Sequence, residues 1–232
     1  MINQLYSVEI VKSGLNGVEG KGTLLGMAVQ LIAITGGSGS GKTWLARRLK
    51  RRLGRQAGLL SLDDFYRDLA DRPLRERARV NFDHPEAIDW DLFRECLVGI
   101  QRGETMALPR YDFATHTRHE RPRVWQPRPV VVIDGLWLLR QPAIRKLYAM
   151  TVFVDCPEAL RLARRLERDQ AERGRSRASV LRQWRSQVKP MHDAHVAPQV
   201  KQARLVVTPE TVGTAVDTLA ARVKQLKQGQ KS

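Results

Sequence analysis

Two periodicities alternate along this chain. Short apolar runs at Ala28–Thr35, Leu59–Leu62, Val130–Ile133, Thr151–Val154 and Arg204–Val207 have the length and bounding residues of buried strands. Val130–Ile133 is apolar throughout, as a parallel strand covered on both faces should be. Between the runs, apolar residues recur at helical spacing. Leu45, Leu49 and Leu53 line one side of a helix that Gly54 ends, and Leu92, Cys96 and Ile100 share a side of Trp90–Ile100. A helix rich in arginine starts at Pro157. The last helix carries Val212, Val216, Leu219, Val223 and Leu226 on one stripe. Alternating strands and helices predict an α/β fold, an open and mostly parallel sheet flanked by helices, whose ligands sit beyond the carboxyl ends of the strands.

Two stretches stand outside this alternation. Residues 1–26 are Gly-rich and without periodicity. Met27 directly precedes the first strand, so the segment reads either as a start-site artefact or as a disordered extension, and the main domain is placed at 27–232. From Met106 to Trp125 the chain is turn-rich and aromatic, which predicts a small β-hairpin inserted above the sheet, within about residues 106–127.

Composition narrows the setting. The 232 residues are 42% hydrophobic, enough for one domain with a core, and no apolar run is long enough to cross a bilayer. The start lacks the basic-then-apolar pattern of an export signal. Cys96 and Cys156, the two cysteines, lie in no metal or redox spacing, so a reduced, cytoplasmic protein is expected. The net charge is +16, from 40 Lys+Arg against 24 Asp+Glu. Such an excess suits an anionic partner, a nucleic acid or a phosphorylated small molecule, or else simply a solvated basic surface. Its distribution is uneven: Arg161 to Lys189 holds ten basic residues against three acidic ones. Within it Arg161, Arg165 and Arg168 share a helix face, with Leu162 and Leu166 directed elsewhere, and Gly174 interrupts the helix between Arg173 and Arg175. The arrangement predicts a hinged basic lid over 157–190, guanidinium groups being suited to the dispersed charge of a phosphoryl transition state.

The sharpest motif is Gly36-Gly37-Ser38-Gly39-Ser40-Gly41-Lys42-Thr43, which follows the first strand and opens the first helix. This is the G-x-x-x-x-G-K-[ST] phosphate loop in its required context. Its glycines let backbone N–H groups turn inward around phosphates, Lys42 reaches the β- and γ-phosphates, and the Thr43 hydroxyl ligates Mg²⁺. Two carboxylates follow strands, where ligands are expected: Asp63 after Leu59–Leu62 and Asp134 after Val130–Ile133. Phosphoryl transfer to an alcohol needs a proton acceptor and carboxylates for hydrated Mg²⁺. Asp63 is the candidate base and a candidate metal carboxylate, and Asp134 a candidate metal contact from behind the first shell of ligands. Asp64 could exchange roles with Asp63, and helix capping is the plain alternative for each.

Over Ile32 to Val207 the chain resembles the uridine–cytidine kinase family of P-loop nucleoside kinases, related to phosphoribulokinase. The resemblance rests on the phosphate loop, Ser61–Tyr66, Asn81–Pro85, Pro109–Arg118, Arg165, Arg168-Asp169, Glu172–Arg175 and Lys189–His192, in that order. It implies ATP- and Mg²⁺-dependent phosphorylation of the 5′-hydroxyl of uridine or cytidine, with GTP as another donor. It further implies that Asp63 is the base for that hydroxyl. Tyr66 would line the nucleoside site and Asp83 would hold ribose hydroxyls, while Tyr111 and His116 meet the pyrimidine. Arg165, Arg175 and Gln183 would complete the acceptor site, and Arg168 and Arg173 would clamp the transferring phosphates. Relatives are usually homo-oligomers inhibited by pyrimidine triphosphates. Two positions depart from the family pattern. Asp134-Gly135 stands where relatives commonly have Glu-Gly, which implies metal contact through water. Arg204 stands where they tend to carry an Asp near the adenine site, which leaves ATP against GTP open. Competing readings are a related kinase acting on ribulose 5-phosphate, pantothenate or nicotinamide riboside, and a basic nucleic-acid-binding NTPase. The latter lacks any nucleic-acid motif or aromatic-and-basic stacking strip in the sequence.

Overall fold

In a computed structural model, described for residues 29–228, the first apolar run becomes β1 (Gln30–Gly36), every residue of which is buried. The strands that follow are β2 (Ala57–Ser61), β3 (Met106–Leu108), β4 (Tyr111–Asp112), β5 (Thr117–Arg118), β6 (Arg123–Trp125), β7 (Val130–Gly135), β8 (Met150–Val154) and β9 (Leu205–Val207). The helices are α1 (Lys42–Leu53), α2 (Leu74–Arg77), α3 (Trp90–Gln101), α4 (Pro142–Arg145), α5 (Glu158–Arg173), α6 (Arg177–Gln183), α7 (Lys189–Met191) and α8 (Val212–Gln228). The readings made on residues 1–26 and Met27 lie outside the described residues. No helix among the described residues is long and apolar enough to cross a membrane.

The main sheet has five parallel strands in the order β2-β7-β1-β8-β9. Its central strand β1 alternates its side chains between two cores. Ile32 and Ile34 pack with Leu45 and Leu49 of α1 and with Val216, Leu219 and Val223 of α8. Leu31 and Ala33 face the other way, into the cluster that holds Phe93, Cys96, Leu97 and Ile100 of α3 with Phe65 and Trp137. The inward side of α3 is therefore centred on Phe93 and Leu97 as well as on Cys96 and Ile100, with Leu92 at its margin. At its end α1 carries Lys50, Arg51 and Arg52, cations favoured by the helix dipole, and Gly54 caps it at φ 65°.

Two boundaries differ from the expected ones, and both bear on chemistry. β2 stops at Ser61, where the chain tightens into a 3-10 turn over Leu62–Phe65, because the Ser61 hydroxyl accepts from the Asp63 N–H at 3.3 Å. Asp63 thus sits inside a turn, two residues beyond the end of the strand. β7 runs on through Gly135, so Asp134 is a buried strand residue, in register with Ile34 on one side and Ser61 on the other. Hydrogen bonding to both neighbours outweighs the poor strand propensity of Asp and Gly there. In α5, Arg161 and Arg165 are buried, and so is Leu166, although it lies off the face they share. The inserted stretch forms two nested antiparallel ladders, β3 with β6 and β4 with β5. Its Trp125 lies against Gly58 of β2, where any side chain would collide with the indole.

Candidate active site

The phosphate loop leaves β1 at the carboxyl end of the sheet and turns into α1. Gly39 and Gly41 hold left-handed φ values of 78° and 96°, and a Cβ on Gly39 would run into the Arg161 carbonyl, so neither position accepts a side chain readily. Gly36 meets the Val154 carbonyl as closely, and Gly37 lies against Arg161 and His192. The loop therefore packs against α5 and the His192 segment as well as its own helix. The Lys42 ammonium donates to the Gly37 carbonyl at 3.4 Å. Burial pulls its pKa below the ordinary lysine value, with the carboxylates of Asp63 and Asp134 opposing that pull. The Thr43 hydroxyl donates to Asp134 Oδ2 at 2.6 Å, a short bond to an ionised acceptor.

Asp63 opens onto the same cavity as Lys42 and Thr43. Burial raises its pKa from 3.8 to about 6; Lys42 works against the rise, and Asp134 and Asp64 add to it. Asp64 leaves in another direction: its carboxylate is 3.9 Å from Arg123, and it does not line the cavity. The neighbouring carboxylates are thereby separated into one that faces the phosphate loop and one that faces the hairpin.

The cavity, of about 460 Å³, continues from Lys42 and Asp63 to an aromatic half lined by Tyr66, Phe82, Tyr111, Phe113 and His116. Tyr66 donates to the Phe82 carbonyl at 3.0 Å, and its backbone is bridged to Ile88. Arg118, on the hairpin, donates to the Tyr66 carbonyl at 3.0 Å and to Asp89 at 3.1 Å, tying hairpin to turn. His116 has a left-handed φ of 56° and stacks on Phe82 with ring centroids 4.5 Å apart and planes 13° from parallel. Its Nδ1 is buried without a hydrogen-bond partner within the protein. Burial, then the nearby Arg175, lowers its pKa, so the imidazole is neutral at pH 7. Asp83 stands where the two halves meet, 3.9 Å from Arg165; burial raises its pKa, and Arg165 and Arg175 oppose the rise.

The opposite wall is α5 and the turn after it. Arg165 is buried and donates to Ser38 at 2.9 Å and to Gln183 at 2.9 Å, joining the phosphate loop to α6. Arg175 donates to the same Gln183 oxygen at 2.7 Å. Gly174, at φ 60°, ends α5 between Arg173 and Arg175. Asp169, with no exposed surface, is the common partner: it pairs with Arg168 at 2.7 Å, Arg165 at 3.4 Å, Arg173 at 3.6 Å and Arg175 at 3.8 Å. Arg161 has no place in the cavity. It donates to the Cys156 carbonyl at 3.1 Å and lies over the Trp184 ring, 5.3 Å from its centroid.

One cavity thus gathers Lys42, Thr43, Asp63, Tyr66, Asp83, Tyr111, His116, Arg165, Arg168, Arg173, Arg175 and Gln183, with Asp134 directly behind Thr43. Arg204 is elsewhere. Because β9 begins only at Leu205, opposite Val152, Arg204 precedes the strand; its guanidinium donates to the Ala149 carbonyl at 2.9 Å, toward the amino end of β8. Sequence reasoning gave no role to Asp169, Phe82 or Phe113, although each lies in a motif that carries the resemblance. For Asp169 a signal was present, since it lies four residues from both Arg165 and Arg173 on one helix.

The profile of the Phosphoribulokinase / Uridine kinase family matches residues 31–218. A uridine kinase of Leuconostoc citreum is 40% identical over 210 residues, spanning 88% of this chain and 100% of that protein. A uridine kinase of Halobacterium salinarum is 36% identical over 193 residues, spanning 83% of this chain and 86% of that one. Among solved structures, the phosphoribulokinase of Rhodobacter spheroides superposes with a TM-score of 0.57 at 17% identity, over 78% of this chain and 70% of that one, a likeness of fold.

Proposed function

Since the chain belongs to the phosphoribulokinase/uridine kinase family, we propose that it transfers the γ-phosphoryl group of ATP to the 5′-hydroxyl of uridine, cytidine or both. The observation that carries the reading is the single cavity in which Lys42, Thr43 and Asp63 adjoin a pocket walled by Tyr66, Phe82, Tyr111, Phe113 and His116. A flat base suits that aromatic wall, whereas a bare sugar phosphate or pantothenate would leave the rings unused. A coupled ADP-release assay over uridine, cytidine, purine nucleosides, pantothenate and ribulose 5-phosphate tests the assignment; activity confined to either of the last two would overturn it.

In this reading the backbone of Gly36–Gly41 and the Lys42 ammonium hold the donor's phosphates. Thr43, with Asp134 behind it acting through water and Asp63 nearby, would hold magnesium. The site suits such an ion: the hydroxyl is already oriented by a carboxylate at 2.6 Å. Among the described residues no cluster of three or more His, Cys, Asp and Glu side chains could hold a metal ion, so phosphate oxygens and water would have to supply its remaining ligands. When bound, magnesium would neutralise charge on the β- and γ-phosphate oxygens. Asp63 accepts the proton of the acceptor hydroxyl, Asp83 takes ribose hydroxyls, and Arg165, Arg175 and Gln183 frame the acceptor. Arg168 and Arg173, on the lid, stabilise charge on the transferring group. A cytoplasmic location and a homo-oligomeric state belong to the same reading, and light scattering tests the latter.

Two outcomes are expected from the acceptor side. Because Asp63 works as a carboxylate and its pKa is raised to about 6, kcat/KM should rise with pH through that value and level off above it; a profile flat from pH 5 to 8 would contradict the base assignment. His116 presents a neutral imidazole, able to donate from one nitrogen and accept at the other, and so to serve either a carbonyl or an amino group on the pyrimidine edge. Uridine and cytidine are therefore expected within roughly tenfold of one another in kcat/KM, about 1.4 kcal/mol in the transition state. His116→Tyr is expected to change that ratio while the KM for ATP stays nearly constant. An unchanged ratio would remove His116 from base reading.

A further inference from the structure

The hairpin tip that carries His116 is held from outside the cavity by Arg77. This residue ends α2, on the segment between the Asp63 turn and Asn81–Pro85, and does not line the cavity. From Asp71 to Arg79 the chain is exposed, and Arg77 alone of that run is half-buried. Its guanidinium donates to three backbone carbonyls: to Arg72 at 2.6 Å, to Ala70 at 3.2 Å and to Thr115 at 3.0 Å. The first two shape its own segment. The third crosses to the loop between β4 and β5. That loop is closed from within by Asp112, which accepts from the Ala114 N–H at 2.8 Å and from the Thr115 hydroxyl at 2.7 Å. The peptide plane that follows contains the Thr115 carbonyl, and rotation against this plane is the φ of His116. At 56° that φ is left-handed, a backbone disfavoured for any residue with a Cβ and kept only where the surroundings fix it. The His116 ring supplies no polar anchor, since its Nδ1 has no partner within the protein and its face rests on Phe82. After burial and Arg175, Arg77 is among the groups that lower the imidazole's pKa, so its charge reaches the ring as well as the backbone.

We propose that Arg77 is a positioning residue for base recognition: by holding the Thr115 carbonyl from outside the cavity it locks the left-handed backbone of His116 and so aims the imidazole at the pyrimidine edge. The proposal rests on the acceptor reading given above and adds to it the residue through which His116 is set. The foot of the hairpin is tied down separately. There the Arg118 N–H donates to Asp68 at 3.2 Å and the Arg118 guanidinium to the Tyr66 carbonyl at 3.0 Å. Strands β4 and β5 therefore keep their place without Arg77, and its loss is felt at the tip. Arg77 touches neither substrate nor reacting atoms; it acts through His116.

The test is a double-mutant cycle on the full chain, Arg77→Met against His116→Gly, read by steady-state kinetics with uridine and cytidine. Methionine keeps an unbranched apolar stem, and glycine keeps the left-handed φ while removing the ring. Arg77→Met is expected to raise the KM of both nucleosides by on the order of tenfold, the scale of one hydrogen bond from a charged donor. Its kcat should stay within about threefold of the wild type and its KM for ATP within about twofold. Arg77→Lys, which keeps a donor without the fork, should recover part of the loss. In the His116→Gly background the same Arg77→Met change should move the nucleoside KM by less than about twofold. In the ligand-free protein, the Overhauser effect between the amide and α protons of His116, strong where φ is positive, should weaken in Arg77→Met. An unchanged nucleoside KM in Arg77→Met would overturn the proposal. So would a loss of equal size in the His116→Gly background, which would mean that Arg77 only shapes its own segment, or an unaltered Overhauser effect. Should that effect weaken as expected while the wild type phosphorylates no pyrimidine nucleoside, the acceptor reading fails and the hold of Arg77 on His116 stands.

Discussion

Lys42→Ala is expected to bring turnover to or below the detection limit while the protein still folds. The ammonium lies between the phosphate loop and two carboxylates, and burial holds its pKa below the ordinary lysine value. A base whose folded pKa is lowered favours the folded state only where it is neutral. Protonating Lys42 therefore costs more in the folded chain than in the unfolded one, and alanine removes that cost. What is lost is the loop's own cation, which faces both Asp63 and Asp134 where the donor's phosphates are proposed to lie. Removing it also takes away the largest opposing charge on Asp63 and leaves the weaker effect of Arg173, which pushes the Asp63 pKa up again. Any residual activity should accordingly need a higher pH than the wild type. Steady-state assays from pH 6 to 9 beside a melting curve test both halves. A kcat near the wild-type value would show that the loop does not hold the donor as assigned.

Asp63→Asn is expected to lower kcat by about 10²–10⁴-fold with a much smaller change in KM, the signature of a lost general base. The side chain keeps its shape, so the turn over Leu62–Phe65, held by the Ser61 cap, is preserved. The sign of the stability effect is opposite to that of an ion-paired acid, whose pKa is lowered. A carboxyl raised to about 6 favours folding below pH 3.8, where it is protonated in both states, and that contribution is lost as the pH rises through 6. At pH 8 the asparagine variant should therefore melt no lower than the wild type. A variant that is merely weak in nucleoside KM would make Asp63 a binding residue. A deeper kcat loss in Asp64→Asn would contradict the geometry that turns Asp64 toward Arg123.

The parts of this site that are legible in sequence are the ones made by local chemistry. Gly36–Thr43 announces itself because only glycine tolerates the loop's dihedrals and approaches, and the strand-then-helix context is visible from the apolar periods. Helices α1, α3 and α8 were legible for the same reason, each having a single apolar stripe, whereas the short helices α2, α4, α6 and α7 carry none long enough to read. What was hidden depends on distant partners. Asp134 reads as a residue after a strand, because nothing local says that Ile34 and Ser61 will pair with it on both sides and extend β7 to Gly135. The arginine face of α5 reads as a clamp open to solvent. In the fold Arg161 and Arg165 are nearly inaccessible, and Arg161 is spent on the Cys156 carbonyl and Trp184. The position of Arg204 could not be read either, since it turns on where β9 begins to pair with β8.

Asp169 has a further consequence, which concerns fluctuation. One carboxylate faces four guanidinium groups, and its contacts to Arg173 and Arg175 are long, at 3.6 and 3.8 Å. Four cations around one anion repel each other, and the two on the flank of Gly174 are the least buried of the set. A polyanion entering between them would supply the missing negative charge, and the amplitude of motion at 168–175 would fall even if the mean structure hardly moved. Amide exchange there is accordingly expected to slow when tripolyphosphate binds, and to slow least at high salt, where mobile ions already quiet the repulsion. The segment would then act as a gauge of how much negative charge the cavity holds, and its stiffness would track the approach to a balanced site.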